Sequence, residues 1–184
     1  IAFSYARQQN ASNVVWFEKK MRDKDLMVQD ISVAFPNALK NGELIVYYQP
    51  KVNLKDNTLC GSEALVRWVR NGIIVPPKDF IPALEKEGTI CDLDMYVFEA
   101  VCKDIRRWSD HAMNPVRVSV NFSKQHFKDE HFADKILDVI HRQRISPTFI
   151  EIELTEASGF ESFDNFVEFS KVMRENGIEV SIDD

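Results

Sequence analysis

Val116-Arg117-Val118-Ser119-Val120-Asn121-Phe122 alternates aliphatic with polar side chains at every step, and a helix-patterned segment lies on each side of it. Alternation of this kind has the period of a β-strand, whose successive side chains point to opposite faces. Upstream, Leu93, Tyr96, Val97, Ala100, Val101, Ile105 and Trp108 recur at helical spacing and predict an amphipathic helix over Asp92 to Trp108. Downstream, Phe132, Ala133, Ile136, Leu137 and Ile140 predict a second helix, and Phe149 to Leu154 a strand. Phe163, Phe166, Val167, Ser170 and Met173 predict a third helix, capped by Gly177, before a further strand from Ile178 to Asp184. Alternating helices and strands are the signature of parallel βα architecture. Periodicity alone leaves open whether such units build a doubly wound sheet or a (β/α)8 barrel.

Toward the N-terminus, Phe17 to about Leu39 is helix-permissive, with Met21, Met27, Val28, Ile31 and Phe35 as its apolar stripe. Pro36 perturbs that helix and Asn41-Gly42 ends it. Leu44 to Gln49 and Thr58 to Trp68 are strand-like runs separated by the turn-prone Asn53 to Asn57, which predicts a hairpin. The strands number about five, short of the eight that close a barrel.

The 184 residues are 45% hydrophobic, enough for one core. A net charge of -6 argues against duplex nucleic acid, whose partners present basic surfaces. No apolar run approaches the roughly 20 residues of a membrane-crossing helix, and no signal peptide is visible. Cys60, Cys91 and Cys102 are odd in number and lack C-x-x-C spacing, so neither a disulfide framework nor a zinc site is indicated. They are expected in or near the core, in a reducing, cytoplasmic setting. Ile1 in place of Met, and Asp184 inside an apolar run, read as the ends of a fragment.

Strand parity shows where chemistry belongs. Glu63, Leu65 and Arg67 share one face of their strand; Arg117, Ser119 and Asn121 share one face of theirs. Glu151, Glu153 and Thr155 follow suit, as do Glu179, Ser181 and Asp183. The aliphatic faces should pack on helices and the polar faces look into a common space, with Glu63, Asn121, Glu153 and Asp183 converging at one height near the C-terminal rim. Three carboxylates and an amide oxygen repel one another unless a cation sits among them, and hard oxygen donors suit Mg²⁺ or Mn²⁺. Asp184 is placed to reach a second ion, the paired-metal arrangement that cuts phosphodiesters. A lone glutamate near a strand end is ordinarily a surface group. It is recurrence on four strands that argues for a site. His111, His126, His131 and His141 have no partner at metal-ligand spacing, and Trp16, Trp68 and Trp108 read as packing residues. Lys103, Arg106 and Arg107 read as a solvated helix face.

Five motifs in order, YYQP (47–50), SEALVRW (62–68), SVNFS (119–123), ELTE (153–156) and SIDD (181–184), joined by PKDFIPALEKEG (77–88), resemble those of the EAL domain family. That resemblance implies a modified TIM (β/α)8 barrel, an α/β fold with an antiparallel first strand, of which about the first half is present. It implies hydrolysis of cyclic di-GMP to the linear dinucleotide pGpG, a bacterial second-messenger reaction, by a homodimer using Mg²⁺ or Mn²⁺. Glu63, Asn121, Glu153 and Asp183 correspond to metal ligands, and Asp184 to the aspartate on the other metal. Gln49, Leu65 and Arg67 match positions that contact the dinucleotide, and Glu156 a glutamate that orders the loop after the fifth barrel strand. Residues 4–17, SYARQQNASNVVWF, are similar to the end of a GGDEF domain. The organisation implied is a GGDEF-like tail over 1–17, an interdomain helix and domain start over 18–41, and the N-terminal part of an EAL domain over 42–184. The rival reading is an inactive EAL domain that serves as a cyclic di-GMP receptor or interaction module. The half barrel itself is expected to be inactive, since the family's DFGTG-type loop, a lysine, a glutamate and a glutamine fall beyond Asp184.

Overall fold

The computed structural model describes residues 19–155 and 163–183; the segment 1–17 expected to be a GGDEF-like tail, with Trp16, and Glu156 and Asp184 lie outside the described residues. Helix α1 spans Lys19–Asn41 and continues through Pro36, which sits on the exposed side where the hydrogen bond it cannot make is lost to water at small cost. Its buried stripe is Ile31, Phe35 and Ala38, with Val28 partly covered. Met27, expected in that stripe, is exposed: four residues before Ile31, it stands at the edge of the stripe and not under its centre.

The predicted hairpin forms. Strand β1 (Leu44–Val52) runs antiparallel to β2 (Leu59–Arg70), with Gln49 opposite Glu63 and Tyr47 opposite Leu65. Side chains make the turn: Asn53 Oδ1 accepts from the Lys55 amide (3.0 Å), and Asp56 Oδ1 from the Thr58 amide (3.1 Å). A sixth strand, β3 (Ile73–Val75), folds back on β2 and was not anticipated. Its signal was nonetheless present, since Asn71 and Gly72 both take positive φ (52° and 77°), the geometry for which Asn-Gly is favoured in two-residue hairpins.

PKDFIPALEKEG forms helix α2 (Pro77–Glu87), with proline at its first turn and Gly88 in the left-handed region at its end. Then come α3 (Ile90–Asp110), β4 (Arg117–Phe122), α4 (Phe132–Gln143), β5 (Ile150–Thr155), α5 (Phe163–Glu175) and β6 (Glu179–Asp183), each close to its predicted span. Gly177 closes α5 as expected, at φ 80°.

The strand order is β1-β2-β4-β5-β6, with β3 attached to β2. β2, β4, β5 and β6 are mutually parallel, and each new strand joins beside the last without reversal. A doubly wound sheet reverses at a switch point; a sheet that advances one way around is the barrel type. Val118, Val120 and Phe122, then Ile150, Ile152 and Leu154, are buried against the helices, so the aliphatic parity holds on β4 and β5; on β6 Ile182, near the end of the strand, is exposed. Among the described residues no helix is long and apolar enough to cross a membrane. Cys102 is buried and Cys91 half-buried, but Cys60 is exposed. It stands at the start of β2, beside exposed Leu59, where the strand has run past its covering helices.

Candidate functional site

The polar faces of β1, β2, β4, β5 and β6 look into the space on the side of the sheet away from the helices. There Asn121 Nδ2 donates to Glu63 Oε1 at 2.9 Å, tying β4 to β2. With its amide nitrogen so engaged, Asn121 presents its carbonyl oxygen as the atom able to ligate a cation. Asn121 and Glu153 are register partners on neighbouring strands. Gln49 faces Glu63 from β1.

One height does not mean one register. Glu63 is level with Ser119, two residues before Asn121, and Asp183 is level with Thr155, two residues beyond Glu153. The offsets across β2, β4, β5 and β6 are thus two, zero and two residues. Strands tilted to a barrel axis with a shear of about one residue per strand need such a stagger to keep residues at one height along that axis. The backbone of Asp183 thus stands at a register position compatible with such a stagger. Glu156 and Asp184 fall outside the described residues.

Glu153 is 9% exposed, a buried carboxylate. Its ion-pair partner is Lys51 of β1, whose Nζ lies 2.5 Å from Glu153 Oε1. Burial opposes the charge on Lys51, but the hydrogen bond it donates to Glu153 and the fields of Glu153, Glu151 and Glu63 more than offset it, and the ammonium is held above its ordinary range. Glu151, two residues below, accepts from Ser181 Oγ at 2.9 Å. Sequence reasoning did not assign Lys51 to the site. Its parity with Gln49 on β1 placed it on the right face, yet nothing in the sequence links it to a residue 102 positions away.

The donors are hard oxygens. Among the described residues no three His, Cys, Asp or Glu side chains cluster to hold an ion; the group here counts two carboxylates and an amide. That a buried carboxylate draws an ammonium from another strand shows the demand for positive charge at this point, and so the residues fit a divalent ion.

Arg67 is further along β2, on the same face. Its guanidinium lies over the Tyr47 ring, 5.8 Å from the centroid, and one nitrogen donates to the Val66 carbonyl at 2.8 Å. Leu65 is half-buried between Glu63 and Arg67 on that face. Tyr47, about half exposed, is a wall of the site that sequence reasoning left unassigned.

Just past the C-terminal end of β4, Asp94 of α3 accepts from the Ser123 amide (2.8 Å) and lies 3.1 Å from His126 Nε2. This buried contact fixes the chain just past Asn121. Burial pushes the Asp94 carboxyl above its ordinary 3.8, against the hydrogen bonds from His126 and Ser123 that pull it down. A carboxyl raised on folding contributes stability that is fully present below pH 3.8 and lost as the pH climbs through the folded value. Asp94→Asn keeps an acceptor for Ser123 but does not ionise. The stability of this variant relative to wild type is therefore expected to improve as the pH rises above 3.8, read from urea midpoints. A difference that stays constant across that range means Asp94 ionises in the fold as it does unfolded.

The chain matches the family described as EAL domain over residues 32–184. It is 26% identical over 185 residues to the signalling protein YkoW of Bacillus subtilis, covering 100% of this chain and 23% of the relative. It is 27% identical over 185 residues to the bifunctional diguanylate cyclase/cyclic di-GMP phosphodiesterase MucR of Pseudomonas aeruginosa, covering 100% and 27%. Among solved structures it resembles the PaMucR phosphodiesterase in complex with c-di-GMP, with a TM-score of 0.77 and 27% identity over 84% of this chain and 63% of that one. The FimX EAL domain of Xanthomonas citri with c-diGMP also gives 0.77, at 18% identity over 88% and 62%, a likeness of fold alone. The chain thus spans about a quarter of the length of the two curated relatives, 23% and 27%.

Proposed function

This chain belongs to the EAL domain family, and from that membership we propose that the full-length protein hydrolyses cyclic di-GMP to its linear dinucleotide. The sheet described above has the TIM-barrel-like fold of that family. The observation that carries the proposal is the Glu63–Asn121 hydrogen bond with Glu153 abreast on the next strand, which gathers hard donors from three successive parallel strands.

In this reading Glu63, Asn121, Glu153 and Asp183 hold one divalent ion, Mg²⁺ or Mn²⁺, and Asp184 engages a second. Bound there, the ions supply the positive charge that activates water and offsets charge developing on the phosphate. The protein's own part is to pre-orient the donors. Asn121 Nδ2 holds one oxygen of Glu63 and thereby sets the direction of the other. Arg67, steadied on the Tyr47 ring, offers a planar fork to a phosphate oxygen, while Gln49 and Leu65 border the dinucleotide on either side of Glu63. Glu156 orders the loop after the fifth barrel strand. The proposed organisation keeps 1–17 as a GGDEF-like tail, 18–41 as interdomain helix and domain start, and 42–184 as the N-terminal part of the EAL domain. The family match from residue 32 and the burial of Ile31, Phe35 and Ala38 support a domain start within α1.

The test is to incubate full-length protein with cyclic di-GMP and Mg²⁺ or Mn²⁺ and to resolve the products by chromatography. Linear dinucleotide is expected, its formation stopped by a chelator and restored by added metal. Binding without turnover would make this a receptor; neither would remove the proposal.

A further inference from the structure

Lys51 is a charged residue of the site that the proposed reaction does not use. Its Cα is opposite Gly61, below Glu63, because β1 runs antiparallel to β2. From there the side chain lies against Gly61 and reaches Glu153 on β5. A Cβ built on Gly61 would stand 3.8 Å from both Cβ and Cδ of Lys51, and 3.3 Å from the Arg117 carbonyl oxygen. The Lys51 distances are ordinary van der Waals contact, so the lysine packs closely along β2 here, and the tight approach is to the Arg117 carbonyl. The ammonium ends at Glu153, a buried carboxylate and a proposed metal ligand, with Glu63 and Glu151 also within its field.

Resting on the metal-site reading above, we propose that Lys51 is the resident counter-cation of the site and competes with the divalent ion for Glu153. Two cations do not share one carboxylate oxygen at 2.5 Å, so an ion that takes Glu153 Oε1 displaces the ammonium. Glu151, on the same face two residues lower, is the carboxylate that receives it. The pairing serves the protein without metal, since the alternative is a buried, uncompensated charge. It also makes metal occupancy depend on a displacement, so that affinity is set partly by a residue that is not a ligand.

The experiment is an Mn²⁺ titration of the full-length protein, followed by electron paramagnetic resonance, on wild type, Lys51→Met and Lys51→Arg, with melting curves taken with and without metal. Lys51→Met keeps an unbranched stem and removes the charge. It is expected to bind Mn²⁺ at least ~10-fold more tightly, the lower end of what outer-shell partners impose on metal affinity. Without metal it is expected to melt below wild type, and to gain more than wild type when Mn²⁺ is added. Lys51→Arg retains the charge and is expected to stay near wild-type affinity, which guards against a variant that merely folds poorly. Unchanged or weaker binding by Lys51→Met, with wild type binding normally, overturns the competition and leaves the metal site standing. No Mn²⁺ binding by any of the three overturns the metal site and this inference with it.

Discussion

Glu63→Gln in the full-length protein is expected to lower cyclic di-GMP hydrolysis by about 10³-fold, the upper range for losing one preorganised charge-stabilising contact. The substitution is narrow by design. Glutamine keeps the length of the side chain and a carbonyl oxygen that still accepts from Asn121 Nδ2, so the β2 to β4 link survives. What disappears is one negative charge from a group whose described carboxylates are Glu63 and Glu153, and with it much of the attraction for a divalent ion. Because Glu63 is only half-buried, the fold should be nearly indifferent, and the urea midpoint is expected to stay within the small range typical of partly exposed substitutions. Turnover and Mn²⁺ affinity measured side by side separate the possibilities. Loss of both assigns Glu63 to the metal, loss of turnover alone moves its role to the substrate, and wild-type turnover removes it from the chemistry.

Trp68→Ala is expected to cost the fold ~3–5 kcal/mol, the range for deleting a large aromatic from a core. Trp68 is fully buried on the helix-facing side of β2. Its ring meets Phe35 of α1 edge-on at 6.3 Å and Phe80 of α2 at 5.5 Å. The indole N–H donates to Glu43 Oε2 at 3.0 Å and, ahead of a second bond from Asn41, holds that carboxyl below its ordinary range. One side chain thus joins two helices and the connection between α1 and β1 to the strand that carries Glu63, Leu65 and Arg67. A loss of this size is a large part of the ~5–15 kcal/mol that separates folded from unfolded domains. Trp68→Phe keeps most of the ring but not the donor, and about 1–2 kcal/mol is expected from the lost hydrogen bond and volume together. Urea unfolding followed by far-ultraviolet circular dichroism reads both, free of the change in tryptophan fluorescence. A Trp68→Ala midpoint near that of wild type would falsify the hub.

Much of this architecture was legible because it is written in local periods. Val116 to Phe122 announces a strand by alternation, and Leu93 to Trp108 a helix by its spacing; neither depends on what lies elsewhere in the chain. Parity alone put Glu63, Asn121 and Glu153 on the face away from the helices, since a strand that buries its aliphatic side has one other side to offer. Misreadings arose where average behaviour stood in for position. Cys60 was assigned to the core on the tendency of cysteine to be buried, but a strand can outrun its cover. Met27 was counted into a stripe that begins at Val28.

By itself, then, the sequence determined the kinds of elements, their faces and the chemical character of the inner surface, all properties carried by neighbours along the chain. Tertiary structure alone decided the one-way order of the sheet, the two, zero and two residue stagger between the candidate ligands, and the pairs Lys51–Glu153 and Asp94–His126. These depend on which strands become neighbours and in what register. Such contacts form between residues far apart in the chain, and they exist only once burial of the aliphatic faces has brought the strands together.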